Sequence, residues 1–433
     1  MICRSGRDSA YFARISVPGW IAGPHVSTTP SLSPRRELWL LMTLAGIQFT
    51  NILDFMIMMP LGPQFTQLFG ISDAQFGLLV SAYTLAGGLS GLMASSYIDK
   101  FGRKRLMLVL YSLFGLSTLA CGLSEGYAQL MAARVAAGIF GGVLSSLAQT
   151  IVADVVPFER RGRAMSVLMT SFSVSTVAGV PLGLFAAAHL GWHAPFIAIA
   201  ALCLVLTVFA AVTLPLLDGH LAAGASVSAW SRIRQTLGNH NHQRAFVLSG
   251  LLMFAGFTVI PYITIYMQTN VGLRPDQIPY IYLSGGIATL LSARWVGRWT
   301  DSKGKFEMFR IMAIAVMVPM VGITLIPAAP LGVAIAVSTV FFICMSGRMI
   351  PGMALLASAA DPALRGTFMS LNSAVQSAAM GLAAIVGGLL IGRDAQGLVH
   401  NYWMAALVGA LASGLSVVVA SRVQMHRGPA QSA

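Results

Sequence analysis

Of the 433 residues, 56% are hydrophobic and 9% charged, against about 25% charged in an ordinary soluble domain. No water-soluble fold could hide that much apolar surface. The formal charge of +13 would suggest nucleic acid in a soluble protein, but here Lys and Arg fall almost wholly in alternate loops between apolar runs of about 20 residues, the length that crosses a bilayer as helix. The charge is therefore topology, with the lipid bilayer and not nucleic acid as partner.

Residues 1–37 are polar, rich in Arg, Ser and Pro, and lack an apolar run long enough for a signal peptide. They are expected to be a disordered cytoplasmic tail. A transit peptide or a mis-assigned start upstream of the true one would look the same.

Twelve apolar windows follow, near 38–61, 75–97, 106–124, 130–152, 164–188 and 194–216, then 245–267, 278–297, 308–327, 331–358, 366–391 and 401–422. The tenth is long enough to be broken or tilted. Between the sixth and seventh lies a stretch, 217–244, with Gly, Ser, His and Asn but no long apolar run, expected to be a cytoplasmic central loop. Residues 423–433 form a second short tail. The expected organisation is an all-α membrane protein of two six-helix bundles, 38–216 and 245–422.

Counting from a cytoplasmic N-terminus, the inner loops hold Lys100, Arg103, Lys104, Arg105, Arg160, Arg161, Arg163, Arg232, Arg234, Arg244, Arg298, Lys303, Lys305, Arg365, Arg422 and Arg427, and the outer loops only Arg274 and Arg393. The positive-inside rule puts both termini in the cytoplasm.

The halves share landmarks. Asp99, Gly102, Arg103 and Lys104 after the second span recur as Asp301, Gly304 and Lys305 after the eighth, 301 − 99 = 202 residues on; Arg161, Gly162, Met165 and Ser166 recur as Arg365, Gly366, Met369 and Ser370, an offset of 365 − 161 = 204. Short basic loops resemble one another under the positive-inside rule, but that does not order Asp, Gly, Met and Ser alike. Parallel repeats of this kind are a transporter architecture. Gly102 and Gly304 are expected to sit in tight turns with positive φ.

Charge inside the bilayer costs about 2.5–3.5 kcal/mol on insertion scales, so such a residue faces a cavity or a partner. Asp54, Arg134 and Arg348 stand out. Asp54 in the first span and Arg134 in the fourth lie at similar depth from the outer ends, and are expected to meet. That pair is either a proton-coupling site, its protonation sensitive to wetting and to substrate, or a static lock between helices. Arg348, in Ser346-Gly347-Arg348-Met349-Ile350-Pro351-Gly352, should lie where Pro351 distorts the helix, facing an anionic group or bonding backbone carbonyls. Gln48, Asn51, Tyr262, Tyr266, Asn372 and Gln376 could line the cavity or make helix-to-helix hydrogen bonds.

The four cysteines are scattered without metal-ligand spacing, so no disulfide framework, metal site or cofactor is indicated. No Ser-His-Asp or His cluster suggests an enzyme.

Ser95, Asp99, Lys100, Gly102, Arg103 and Lys104 resemble the loop signature of the major facilitator superfamily, with Ser95 in place of the usual Gly. Arg134, Gly138, Gly141 and Gly142 resemble its fourth-helix signature. Gly179-Val-Pro181-Leu-Gly183 resembles a shortened fifth-helix antiporter signature, and Leu53-Asp54-Phe55-Met56-Ile57-Met58-Met59-Pro60 the first-helix acidic motif of proton-coupled exporters. The resemblance covers nearly all of 38–422 and is nearest to the drug and sugar efflux branch related to arabinose exporters. It implies the major facilitator fold and alternating access in a cell inner membrane, with proton-driven efflux of a small molecule by a monomer; uptake of a sugar or organic acid is the alternative. It also implies a cytoplasmic gate, with Asp99 capping a helix of the other half and Arg103 pairing with Asp154, alongside Gly102, Lys104, Asp301, Gly304, Arg161 and Arg365. Those residues could instead merely enforce topology.

Overall fold

The computed structural model describes residues 33–215, 229–361 and 364–425. Residues 1–32 of the expected tail 1–37, residues 426–433 of the expected tail 423–433, and residues 216–228, which cover the start of the expected central loop 217–244, lie outside the described residues. Arg427 is among them.

The first half begins with α1 (Pro34–Ile57) and a short α2 (Gly62–Leu68), followed by α3 (Asp73–Tyr97), α4 (Arg103–Gly122) and α5 (Tyr127–Val155). Next come α6 (Phe158–Val174) and α7 (Val180–Leu190), then α8 (His193–Thr213). α9 (Ala229–Gly238) leads into the second half: α10 (His240–Phe257) and α11 (Ile263–Thr269), α12 (Ile278–Lys303), α13 (Lys305–Ala315) and α14 (Met317–Gly322), α15 (Leu331–Ala359), α16 (Arg365–Leu390) and α17 (Tyr402–Ala420). A two-residue hairpin, β1 (Gly392–Arg393) with β2 (Val399–His400), joins the last two.

Among the described residues, ten helical stretches are long and apolar enough to span a bilayer. α12, which carries Arg294, Arg298 and Asp301, and the interrupted α13–α14 supply passes consistent with twelve in all. The cation-bearing segments that follow α3, α5, α12 and α15 share one face, the basic face, with the start of α1 and the end of α17. The start of α3, with its Ser72–Gln75 capping box, and the hairpin lie on the far face.

Three passes are not simple rods. The fifth contains a single π-turn, Ser175–Gly179, the seventh breaks at Ile260–Tyr262, and the ninth pauses between Ala315 and Met317. The tenth, expected to be broken or tilted, is unbroken: one helix runs through Pro351. Its neighbours Gly347 and Gly352 let α13 close over the bend: a Cβ on either would press on Met312 or Phe309. The stretch expected as loop up to 244 contains α9 and the first turn of α10.

The repeat reappears in bonds. Arg161 donates to the carbonyl of Ala153 at 2.6 Å and Arg365 to the carbonyl of Ala357 at 3.1 Å, eight residues back in each case. Each guanidinium reaches past a loop to the carboxyl end of the preceding helix, where unpaired carbonyls concentrate negative charge.

Close helix crossing uses glycine where a side chain would intrude. Gly87 and Gly142 bring α3 and α5 into backbone contact, and Gly138 does the same against Tyr83. Between the halves, Gly388 meets Asp73 and Ala74, Gly77 meets Ala384, and Gly381 meets Thr84 and Leu85. Gly286 of α12 lies on Val177 in the π-turn of the fifth pass. The two halves are therefore packed together from the far face inward.

Candidate functional site

α1 carries Asp54 into the bundle because its neighbours Leu53 and Ile57 seat against the fifth pass, where Gly179 and Gly183 leave room for their side chains. Ser171 and Ser175 donate to the carbonyls of Ala45 and Phe49 at 2.8 and 3.1 Å, fixing α1 along that pass. α5 carries Arg134 to the same level. Its Nη1 donates to Asp54 Oδ2 at 2.8 Å, and both side chains are 0% exposed.

The pair is wholly buried, and the charges are not fully partnered. Among the described residues, Asp54 Oδ1 and Arg134 Nε and Nη2 have no hydrogen-bond partner. Desolvating two ions costs several kcal/mol each, and the mutual attraction offsets this only when geometry is good and the remaining lone pairs and protons are satisfied. The guanidinium gains a second contact from the ring of Tyr83, whose centroid lies 4.4 Å from Cζ, an attraction that grows when water is excluded. Tyr83 is held in turn: its hydroxyl donates to Asn51 Oδ1 at 2.5 Å, and Asn51 Nδ2 donates to the carbonyl of Gly141 at 2.9 Å.

The network extends to the other half through aromatic rings. Phe55 stacks on Tyr83 with centroids 5.4 Å apart, and on Phe257 of α10 at 5.9 Å. From Phe257 to Asp54 there is one chain of touching groups: ring, ring, ring, guanidinium, carboxylate. It runs from one half into the buried charge of the other.

The other expected cavity residues are engaged within the protein. Gln48 donates to Ser145 Oγ at 2.8 Å, Tyr266 to the carbonyl of Ile326 at 3.0 Å, and Gln376 to Ser249 Oγ at 3.0 Å. Tyr262 donates to the carbonyl of Ala384 while its ring meets the edge of Phe76. Asn372 is buried with Oδ1 unpartnered, as is Gln48 Oε1.

Arg348 is 1% exposed. Its Nη2 donates to the carbonyl of Leu252 at 2.9 Å and Nη1 reaches Ser413 Oγ at 3.4 Å. It thus ties α15 to α10 and α17 through neutral acceptors.

On the basic face, Arg103 and Asp154 form an ion pair that links α4 to α5 within the first half. Gly304 has φ +92°, the positive φ expected of it. Gly102 does not: with φ −58° and ψ 125° it is the N-cap of α4, a conformation open to any residue. Asp301 is exposed in the last turn of α12, and Lys104 lies in the first turn of α4. The side chains of Asp99 and Ser95 lie outside the described residues.

A far-face pair was not anticipated. Arg393, on the hairpin, grips Asp73 with two bonds, Nε to Oδ2 and Nη2 to Oδ1, each 2.8 Å, and reaches Thr66 at 3.5 Å. Asp73 lies in the first turn of α3, where a carboxylate also meets the positive end of the helix. The bond to Asp73 raises the Arg393 pKa above its ordinary value. Asn270 anchors the hairpin to the end of α11 through both Val399 backbone groups. The sequence held a signal, since Arg393 is one of only two Lys or Arg residues in the expected outer loops.

Comparison with known proteins accords with this architecture. Residues 44–384 match the family described as the Major Facilitator Superfamily, and the chain belongs to it. The MFS-type transporter YtbD of Bacillus subtilis (strain 168) is 26% identical over 339 residues, 77% of this chain and 83% of that protein. Among solved structures, a bacterial homolog of the human lysosomal transporter Spinster, inward-facing and occupied, superposes with TM-score 0.71 at 15% identity over 91% of this chain and 98% of that one. A D-xylose-proton symporter gives 0.72 at 17% identity over 89% and 97%. The chain is a multi-pass membrane transporter and not an enzyme.

Proposed function

We propose that the chain is a proton-coupled exporter of a small organic molecule, sugar or drug-like, in the efflux branch of its family, with its basic face in the cytoplasm. The observation that carries this reading is the wholly buried Asp54–Arg134 pair, with one carboxylate oxygen unpartnered. A static lock is best served by full hydrogen bonding, because each unmet charged group is a penalty. A carrier needs a carboxylate that can take a proton and surrender its partner.

In this reading the arrangement is the state closed to the outside, with the halves joined at Asp73–Arg393 and along α3 and α16. Substrate entering from the cytoplasm reaches Phe55 and Phe257, which bridge the halves. Displacing those rings shifts Tyr83 beneath the Arg134 guanidinium and weakens its hold on Asp54. Opening outward then requires the Asp73–Arg393 bonds to part while Asp99, beside the Arg103–Asp154 pair already formed in this state, engages the other half to close the basic face. Asp54 accepts a proton outside and releases it inside, driving export.

Uptake on the same scaffold is the second reading, favoured by the shared fold with a D-xylose-proton symporter. Flux in proteoliposomes under an imposed pH gradient decides between them by direction. For export, Asp54→Asn abolishes gradient-driven flux while exchange of substrate without a gradient persists. A variant that still pumps along the gradient refutes the carrier role.

A further inference from the structure

At the basic face a pocket of about 320 Å³ opens between the start of α10 and the end of α17, lined by His240, Gln243, Arg244, Val247, Val419 and Arg422. No carboxylate is among these residues. The Arg244 and Arg422 side chains line it beside the start of an 18-residue helix, whose first N–H groups are capped by Asn239 but whose dipole still presents its positive end to an anion.

The pocket is built, not a chance meeting of surface side chains. Asn241 Nδ2 donates to the carbonyl of Gln424 and Gln424 N to Asn241 Oδ1, both at 2.8 Å. Arg244 Nη1 donates to the carbonyl of Arg422 at 3.1 Å. These bonds clamp the segment after α17 onto α10, and among the described residues neither Arg244 nor Arg422 pairs with a carboxylate.

Its surroundings are those of a membrane surface. Val247, 52% exposed, and Val419 lie deeper along α10 and α17, on their lipid-crossing portions. Beside the pocket, α9 is fixed to α10 by Gln243 donating to the carbonyl of Leu237 at 2.8 Å and by His242 meeting the carbonyl of Thr236 at 3.2 Å. α9 carries exposed Trp230 and Leu237 together with Arg232 and Arg234, the combination of an interfacial amphipathic helix. Basic pockets between membrane helices at this level suit phospholipid head groups.

We propose that this pocket holds the head group of an anionic phospholipid, its phosphodiester between Arg244 and Arg422 and its glycerol and acyl chain over Val247 and Val419. The proposal stands independently of what the protein transports. A free phosphate offers the same charge without the chain, and the apolar floor is what favours the lipid.

The test is native mass spectrometry of the full chain in detergent, titrated with phosphatidylglycerol and separately with phosphatidylcholine. Phosphatidylglycerol is expected to bind preferentially, and Arg244→Gln/Arg422→Gln to weaken it roughly thirtyfold, whereas Arg274→Gln on the far face leaves it unchanged. Val247→Glu, which keeps both arginines and places a carboxylate in the pocket, is expected to weaken it as well, and serves if the double variant fails to fold. Equal binding of the two lipids, or unchanged phosphatidylglycerol binding in both pocket variants, overturns the proposal. So does displacement of phosphatidylglycerol by inorganic phosphate at equal concentration, which would assign the pocket to a free anion.

Discussion

Asp73 and Arg393 are separated by 320 residues of chain and joined by two bonds of 2.8 Å, so the start of α3 in one half is held to the hairpin of the other. Bidentate pairs of this type are among the stronger hydrogen-bonded contacts, about 1.5–3 kcal/mol when a charged group is involved, less here because Arg393 is 32% exposed. Asp73→Asn should therefore loosen the far face. In a chain with its four cysteines replaced by serine, Thr84→Cys, buried against α16 near Gly381, should react with an external thiol reagent about tenfold faster when Asp73→Asn is added. Unchanged reactivity would show that the pair does not hold the halves.

The same pair makes a statement about pH. Arg393 has a raised pKa because of its bond to Asp73, so its contribution is complete below the ordinary arginine value and is lost only as pH rises through the still higher folded value. Between about pH 6 and 9 the Thr84→Cys reaction, corrected for thiolate content, should show no change arising from Arg393. A steep rise in that window would point to another titrating group at the far face.

Removing one partner of the Asp54–Arg134 pair strands the other charge in a dry site. Asp54→Asn and Arg134→Gln should each destabilise by about 3–5 kcal/mol. The double variant should fall short of the sum by about 1–3 kcal/mol, because the second change removes the stranded charge. Thermal unfolding of the four proteins in detergent measures this, and strict additivity would mean that the pair contributes little despite its geometry.

Phe55 and Phe257 bridge the halves next to that pair, and aromatic pairs are worth about 0.5–1.5 kcal/mol beyond the area they cover. Phe55 is only partly buried, so Phe55→Ala should fold. It should reduce the coupling of flux to the pH gradient several-fold while Phe55→Tyr retains most of it. If Phe55→Ala alters neither coupling nor apparent substrate affinity, the ring chain from Phe257 to Asp54 has no part in transport.

What the sequence made legible follows from what leaves a mark in it. Apolar runs, alternate basic loops and the two repeat offsets are long-range patterns, and they outline the twelve-pass fold. A charge inside a span is costly enough to stand out, so Asp54 and Arg134 could be matched by depth alone. Arg348 stood out equally, yet its partners are the Leu252 carbonyl and the Ser413 hydroxyl, and a carbonyl acceptor has no sequence signature. The breaks at Ile260–Tyr262 and after Ala315 were missed because hydropathy is blind to backbone geometry within an apolar run. Pro351 drew attention to the tenth span, but small neighbours let that helix continue.

Glycine positions give the sharpest contrast between motif and packing. Gly142 belongs to the fourth-helix signature, and a Cβ there would overlap the backbone carbonyl and Cα of Gly87. Backbone cannot rotate aside as a side chain can, so α3 and α5 must separate, a cost of about 1–3 kcal/mol or more. Gly297 lies four residues before Asp301 in the second loop signature, yet no atom lies within 4 Å of the place its Cβ would occupy. It sits inside α12, where alanine is the better helix former by about 0.8–1 kcal/mol. Gly142→Ala should lower the melting temperature in detergent by several degrees and impair transport, while Gly297→Ala should leave the melting temperature equal or raised. If transport requires a state in which α12 is approached closely at Gly297, Gly297→Ala will slow flux without loss of stability. Full activity together with raised stability would show that this glycine is free of packing in every state of the cycle.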